Sequence, residues 1–182
     1  MAHALEIFFD ERADAAVRML WDSLERVGVP SLRTASHRRH HPHVTLAVGE
    51  HIGVGDELIG ALRGLPGRKL SFPLLGVFPG HAAVLFLGVQ VTAPLLDAHA
   101  AVHEAIMGKR GEEGGSGGAG KLSELYGPGS WVPHCTLAMH LGADSLARAC
   151  RELHPYAGLQ ASIASVGLVD IETGDTEDLV AG

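Results

Sequence analysis

The sequence predicts an α+β fold built by using one unit twice. The hexapeptide Pro-His-x-Thr-Leu-Ala occurs at residues 42–47 and again at 133–138, with its histidines 91 residues apart. Each copy lies in a run of period-two alternation, the pattern of a half-buried strand. Val44, Leu46 and Val48 alternate with His43, Thr45 and Ala47, and Cys135, Leu137, Met139 and Leu141 alternate with His134, Thr136, Ala138 and His140. The apolar patterns along the chain run strand-helix-strand-helix-strand, and then the same again. The hexapeptides fall at matching places in the two halves.

Residues 4–10 form a short apolar run and a first strand. Asp10 then caps a helix over 11–27, with Ala15, Ala16, Met19, Leu20, Leu24 and Val27 at helical spacing, and Gly28 and Pro30 stop it. Phe8 and Phe9 read first as core residues. The segment 36–41, Ser-His-Arg-Arg-His-His, is the most basic spot in the chain and leads into the first hexapeptide strand. A helix is expected over 56–65, with Leu58, Ile59, Leu62 and Leu65 on one side. Strands are expected over 67–77 and 83–92, around the turn Phe78-Pro79-Gly80-His81. The second of these is nearly all apolar and so central. A helix over 94–107 comes next, carrying Leu95, Leu96, Ala98, Val102 and Ile106.

Residues 108–120 are glycine-rich and read as a flexible connector. Gly115, Gly120 and Lys121 imitate the start of a phosphate-binding loop. Leu122 stands where that motif needs a metal-binding hydroxyl, and a charged loop precedes it instead of a strand. After the second hexapeptide come a short helix over 144–153 and a strand over 160–169. The acidic tail, 173–182, reads as solvent-exposed.

Length and composition fit a single domain over 1–182, with two pseudo-duplicated lobes sharing one interior; 46% hydrophobic residues can build its core. The net charge of −7 argues against wide contact with long duplex nucleic acid, which needs many phosphate neutralisations. A small phosphorylated ligand needs only a local basic spot. Cys135 and Cys150 give neither a disulfide framework nor metal spacing, and Cys135 sits on the apolar face of its strand. No signal peptide and no apolar run of bilayer length is evident. A soluble, cytoplasmic, monomeric protein without membrane association is expected, and abundant Ala and Gly fit a GC-rich bacterial genome.

Residues i and i+2 of a strand share a face, so each histidine points the same way as its threonine. Alanine follows on that face in both copies and leaves room for a ligand. Histidine titrates near neutral pH and can give or take a proton. Paired threonine hydroxyls can donate to an anion.

Two His-x-Thr motifs some 90 residues apart, each on a strand, resemble the 2H phosphoesterase superfamily, which includes the bacterial 2′-5′ RNA ligases and cyclic phosphodiesterases. The resemblance implies two antiparallel sheets forming a V-shaped cleft, with helices outside. It implies His43 and His134 as catalytic acid and base, and Thr45 and Thr136 on the substrate phosphate. It further implies metal-independent chemistry without a cofactor. The substrate would be a cyclic nucleotide or an RNA 2′,3′-cyclic phosphate end, opened to a 2′-phosphomonoester, with 2′-5′ ligation as the reverse. Arg38, Arg39 and Lys121 are candidates for the phosphate, and Tyr126 and Trp131 for stacking on a base. His140 lies six residues beyond His134 and reads as a surface residue.

Two other classes compete. His41-Pro42-His43, with His37 and His40 nearby, suggests a metal site, although Thr45 stands where a metallohydrolase would place an Asp. A module that binds a nucleotide or RNA end without turning it over would carry the same motifs.

Overall fold

A computed structural model describes residues 2–35, 39–112 and 122–182. Its eight strands are β1 (His3–Phe9), β2 (His43–Gly49), β3 (Lys69–Phe72), β4 (Leu74–Phe78), β5 (Ala83–Gly88), β6 (His134–Leu141), β7 (Leu159–Asp170) and β8 (Thr176–Ala181). Its four α-helices are α1 (Glu11–Arg26), α2 (Asp56–Leu62), α3 (Ala93–Glu112) and α4 (Ala143–Glu152). The strands form two antiparallel sheets. One has the order β2-β1-β7-β3, with β8 also on β7; the other has the order β4-β5-β6.

The two sheets are joined where the sequence suggested a single strand. Pro73 has no N–H to give a ladder, and it divides β3 from β4. β3 pairs with β7 in the first sheet, and β4 pairs with β5 in the second. The acidic tail is mostly exposed, as expected, but it is a strand and not an irregular end: β8 pairs with β7 from Thr176 to Ala181.

Asp10 caps α1 by accepting from the Ala13 N–H, and Gly28 follows at φ +72°, a conformation that costs glycine nothing. The buried stripe of α1 is Ala13, Val17, Trp21 and Leu24, while Met19 is 69% exposed. The expected face was therefore rotated; the large indole at 21 sets the orientation. α3 runs on to Glu112, five residues past its expected end. Residues 113–120, the rest of the expected flexible loop, lie outside the described residues.

One continuous hydrophobic core takes residues from both sheets, including Leu5, Ile7, Leu46 and Phe72 from the first and Leu85, Leu87 and Leu137 from the second. Fully burying such a side chain is worth about 1.5–3 kcal/mol. α1 rests on β1, β7 and β6, so it bridges the sheets. β2 and β6 are each an edge strand of their own sheet, and they lie against each other without a shared ladder.

Candidate active site

Both hexapeptide strands contain the same irregularity. In β2 the pairing with β1 steps from Ala47 opposite Leu5 to Thr45 opposite Glu6. In β6 the pairing with β5 steps from Ala138 opposite Leu85 to Thr136 opposite Phe86. A bulge adds one residue and reverses the facing of the residues beyond it. Ala47 and Ala138 are therefore buried, and Val48 and Met139 face the cleft instead. The room expected beside each His-Thr pair from alanine is thus bounded by Val48 and Met139.

A cavity of about 250 Å³ lies between the two strands, lined by His43, Thr45, His134 and Thr136 together. The two motifs converge on one space. Two tryptophans brace them. Trp21 of α1 donates its indole N–H to the Thr136 carbonyl at 3.3 Å, and Trp131 donates to the Thr45 carbonyl at 2.8 Å.

The two histidines are held alike. Nδ1 of His43 lies 2.7 Å from the His41 carbonyl, and Nδ1 of His134 lies 2.7 Å from the Val132 carbonyl. A carbonyl only accepts, so each Nδ1 carries its hydrogen, and each Nε2 is left for chemistry.

Their surroundings differ. The His134 ring meets Phe78 edge-on at 4.9 Å and Phe86 at 5.1 Å, and those two phenyl rings stack at 4.3 Å. Burial in this aromatic corner holds the His134 imidazole below its ordinary pKa. The Val132 carbonyl works against that shift, and the charge of His43 adds to it. The His43 ring instead faces a carboxylate: Nε2 lies 3.4 Å from Oε1 of Glu6. Glu6 is only 9% exposed, and burial pushes its carboxyl up, with His43 pulling the other way.

Glu6 was not among the residues expected here. Its signal was present in β1, where Ala4, Glu6 and Phe8 face the cavity and Leu5, Ile7 and Phe9 face the core. It is a lone charge in an apolar strand. Phe8 lines the cleft, while Phe9 packs edge-on against Phe72 in the core.

Of the other expected residues, Arg39 and Tyr126 line the cavity. The Arg39 guanidinium bonds to Asp175 at 2.7 Å, tying the segment before β2 to the turn between β7 and β8. Burial raises the Tyr126 phenol, and Glu6 adds to that rise. Trp131, open from the sequence to packing or to stacking on a base, is packed in this structure. Its ring is 9% exposed and stacks at 3.9 Å, nearly parallel, on His99, outside the cavity lining. Arg38 and Lys121 lie outside the described residues. His140 is exposed, with a left-handed φ of 57°.

His99 and His103 were unforeseen. They occupy the buried face of α3 with Leu95, Val102 and Ile106. Nε2 of His99 lies 2.9 Å from the Tyr126 carbonyl and 3.2 Å from that of Leu46, and Nε2 of His103 lies 3.3 Å from the latter. Both support β2 from behind. Burial takes His99 down to about 4 and lowers His103.

A second cavity, of about 470 Å³, adjoins the first and shares Tyr126, His134, Thr136 and Met139 with it. Phe78, Val84, Leu125 and Val132 make its walls largely apolar. Among the described residues no group of three or more His, Cys, Asp or Glu could hold a metal ion, including around His41 and His43.

Two antiparallel sheets with helices outside, and two His-x-Thr pairs on one cavity, define a protein of the 2H phosphoesterase type. The chain belongs to the 2′-5′ RNA ligase superfamily, whose sequence profile matches residues 9–175, and it is an enzyme of the phosphodiesterase class. No curated protein sequence matches it. Among solved structures, Usb1 from Kluyveromyces marxianus is similar over 98% of this chain and 97% of its own, with 11% identity and a TM-score of 0.47. Its structure with uridine monophosphate is similar over the same shares, with 10% identity and a TM-score of 0.46.

Proposed function

We propose that the protein hydrolyses 2′,3′-cyclic phosphates of nucleotides or RNA ends without a metal, and that it can run the reverse, 2′-5′ joining. The observation that carries this reading is the single cavity on which both His-Thr pairs open. The Nε2 of His134, whose ring burial keeps neutral, takes a proton from water. The water oxygen bonds to phosphorus as the bond to the leaving ribose oxygen breaks. The Nε2–H of His43, beside the Glu6 carboxylate, gives its proton to that oxygen. The hydroxyls of Thr45 and Thr136 donate to the non-bridging oxygens as charge grows on them. His134 ends protonated and His43 neutral, and exchange with solvent resets both.

The test is incubation with nucleoside 2′,3′-cyclic phosphates in chelator, with the products identified. A 2′-phosphomonoester is expected. Measurable binding with unchanged substrate would make the protein a binding module. Loss of turnover on chelation would favour a metal.

A further inference from the structure

We infer that Glu6 is a positioning residue that keeps the second ring proton on His43, and so decides which of two like-held histidines is the acid. The inference rests on the proposed phosphodiesterase function. Nothing in the backbone distinguishes the two rings: each gives its Nδ1 hydrogen to a carbonyl two residues earlier, at 2.7 Å in both cases. The distinction lies in what each ring meets: the His134 ring packs against two phenyl rings, whereas His43 Nε2 has a carboxylate oxygen at 3.4 Å. The charge of a carboxylate at that distance favours a second proton on the ring it faces, and the ring that carries that proton is the one able to act as acid.

The groups facing this pair do not substitute for Glu6. β6 presents His134, the turn before it presents Tyr126, and the segment before β2 presents Arg39, His40 and His41. Arg18 of α1, itself paired with Asp14, reaches Nδ1 of His41 at 3.1 Å. β7 places Gly167 opposite Glu6, and the neighbouring Cys135 is held as a neutral thiol. Glu6 is the one carboxylate among the described residues lining the cavity. A buried acid in a cleft that must admit an anionic phosphodiester works against binding unless it does something else there. Holding a proton next to the leaving oxygen is such a task. When the diester docks, its leaving oxygen approaches the same Nε2, and turnover transfers the Nε2 hydrogen to it.

The experiment reads the ring nitrogens directly and needs no turnover. Nitrogen-15 spectra of the wild-type protein at neutral pH are expected to show both His43 ring nitrogens protonated and only one in His134. In Glu6→Gln, which keeps the shape and removes the charge, the pH at which His43 loses its second proton should fall by about one unit or more. That of His134 should not fall. The alkaline limb of kcat/KM should move by the same amount, with little loss on the acid side, and Glu6→Asp should restore part of the shift. A neutral His43 ring in wild-type protein at neutral pH would overturn the inference. So would superimposable His43 titrations in wild type and Glu6→Gln. Failure to hydrolyse any cyclic phosphate, with these spectra as expected, would instead count against the proposed substrate.

Discussion

At the scale of single residues, the site is two identical devices in unlike settings. In the proposed mechanism His134 is the base, a role open only to its neutral form. Its folded pKa lies below the ordinary histidine value because the ring is buried against Phe78 and Phe86. A lowered value means that the neutral form persists as pH falls. The acid limb of kcat/KM is therefore expected below about 6.5, the ordinary value, and an acid limb above 7 would contradict this. Thr45→Val and Thr136→Val remove a hydroxyl with little change in volume. Each is expected to lower kcat about 10²-fold, with the thermal midpoint nearly unchanged. The histidines and threonines were legible because the hexapeptide repeats. Glu6 was not: an acid in a strand is ordinary until the fold shows which ring it faces. Trp131 stayed undecided in the sequence because an aromatic beside a motif fits equally well over a base or under the strand that carries it.

At the scale of elements, the bulges and the supports behind β2 and β6 matter most. Alternation was legible along both strands as far as Leu46 and Leu137, and it failed at the alanine that follows each. The extra residue in each strand is set by pairing with a partner, which the strand's own pattern does not record. β8 was missed for a related reason: its exposed acidic residues look like a tail, and only the edge of β7 makes them a strand. Gly76 of β4 lies under the Phe86 ring, and a Cβ there would overlap it. Gly76→Ala is expected to displace Phe86 from His134 and lower kcat/KM at least about tenfold, whereas Gly60→Ala, with open space, should not. Equal rates would contradict this.

The supports on α3 bear on acid stability. The unfolded chain protonates His99 near 6.5, and the folded protein only near 4, so between those values the unfolded state holds more protons. Stability is thus fully present above about 6.5 and is lost as pH falls towards 4, at up to about 1.4 kcal/mol per pH unit for one proton. His103, also lowered, adds to the slope. Denaturant titrations between pH 7 and 4 should show this fall, and His99→Gln should flatten it. An unchanged slope in that variant would remove His99 from the account.

At the scale of the whole molecule, an acidic chain presents a small cleft. The net charge is −7, and the cleft's Arg39 bonds to Asp175. In the proposed reaction, the described residues offer little charge to neutralise phosphates beyond the reacting one. Lengthening an RNA with a 2′,3′-cyclic end from one to about twenty nucleotides is expected to change affinity less than about threefold, with a shallow dependence on salt. A steep salt slope would indicate a basic track that the described residues lack. The overall class was legible from the order of elements and the repeated hexapeptide. The crossing of the chain between sheets at Pro73 was not, because a proline between two apolar runs reads equally well as a kink.

The central claim is that His43 and His134 act on one phosphorus as a unit. Its most direct test is kcat/KM on a nucleoside 2′,3′-cyclic phosphate for His43→Ala, His134→Ala and the double variant. Each single change is expected to cost about 10²–10⁴-fold, and the double change little more than either, because groups that act together are lost together. A single variant with a near-normal rate, or two losses that simply multiply, would contradict it.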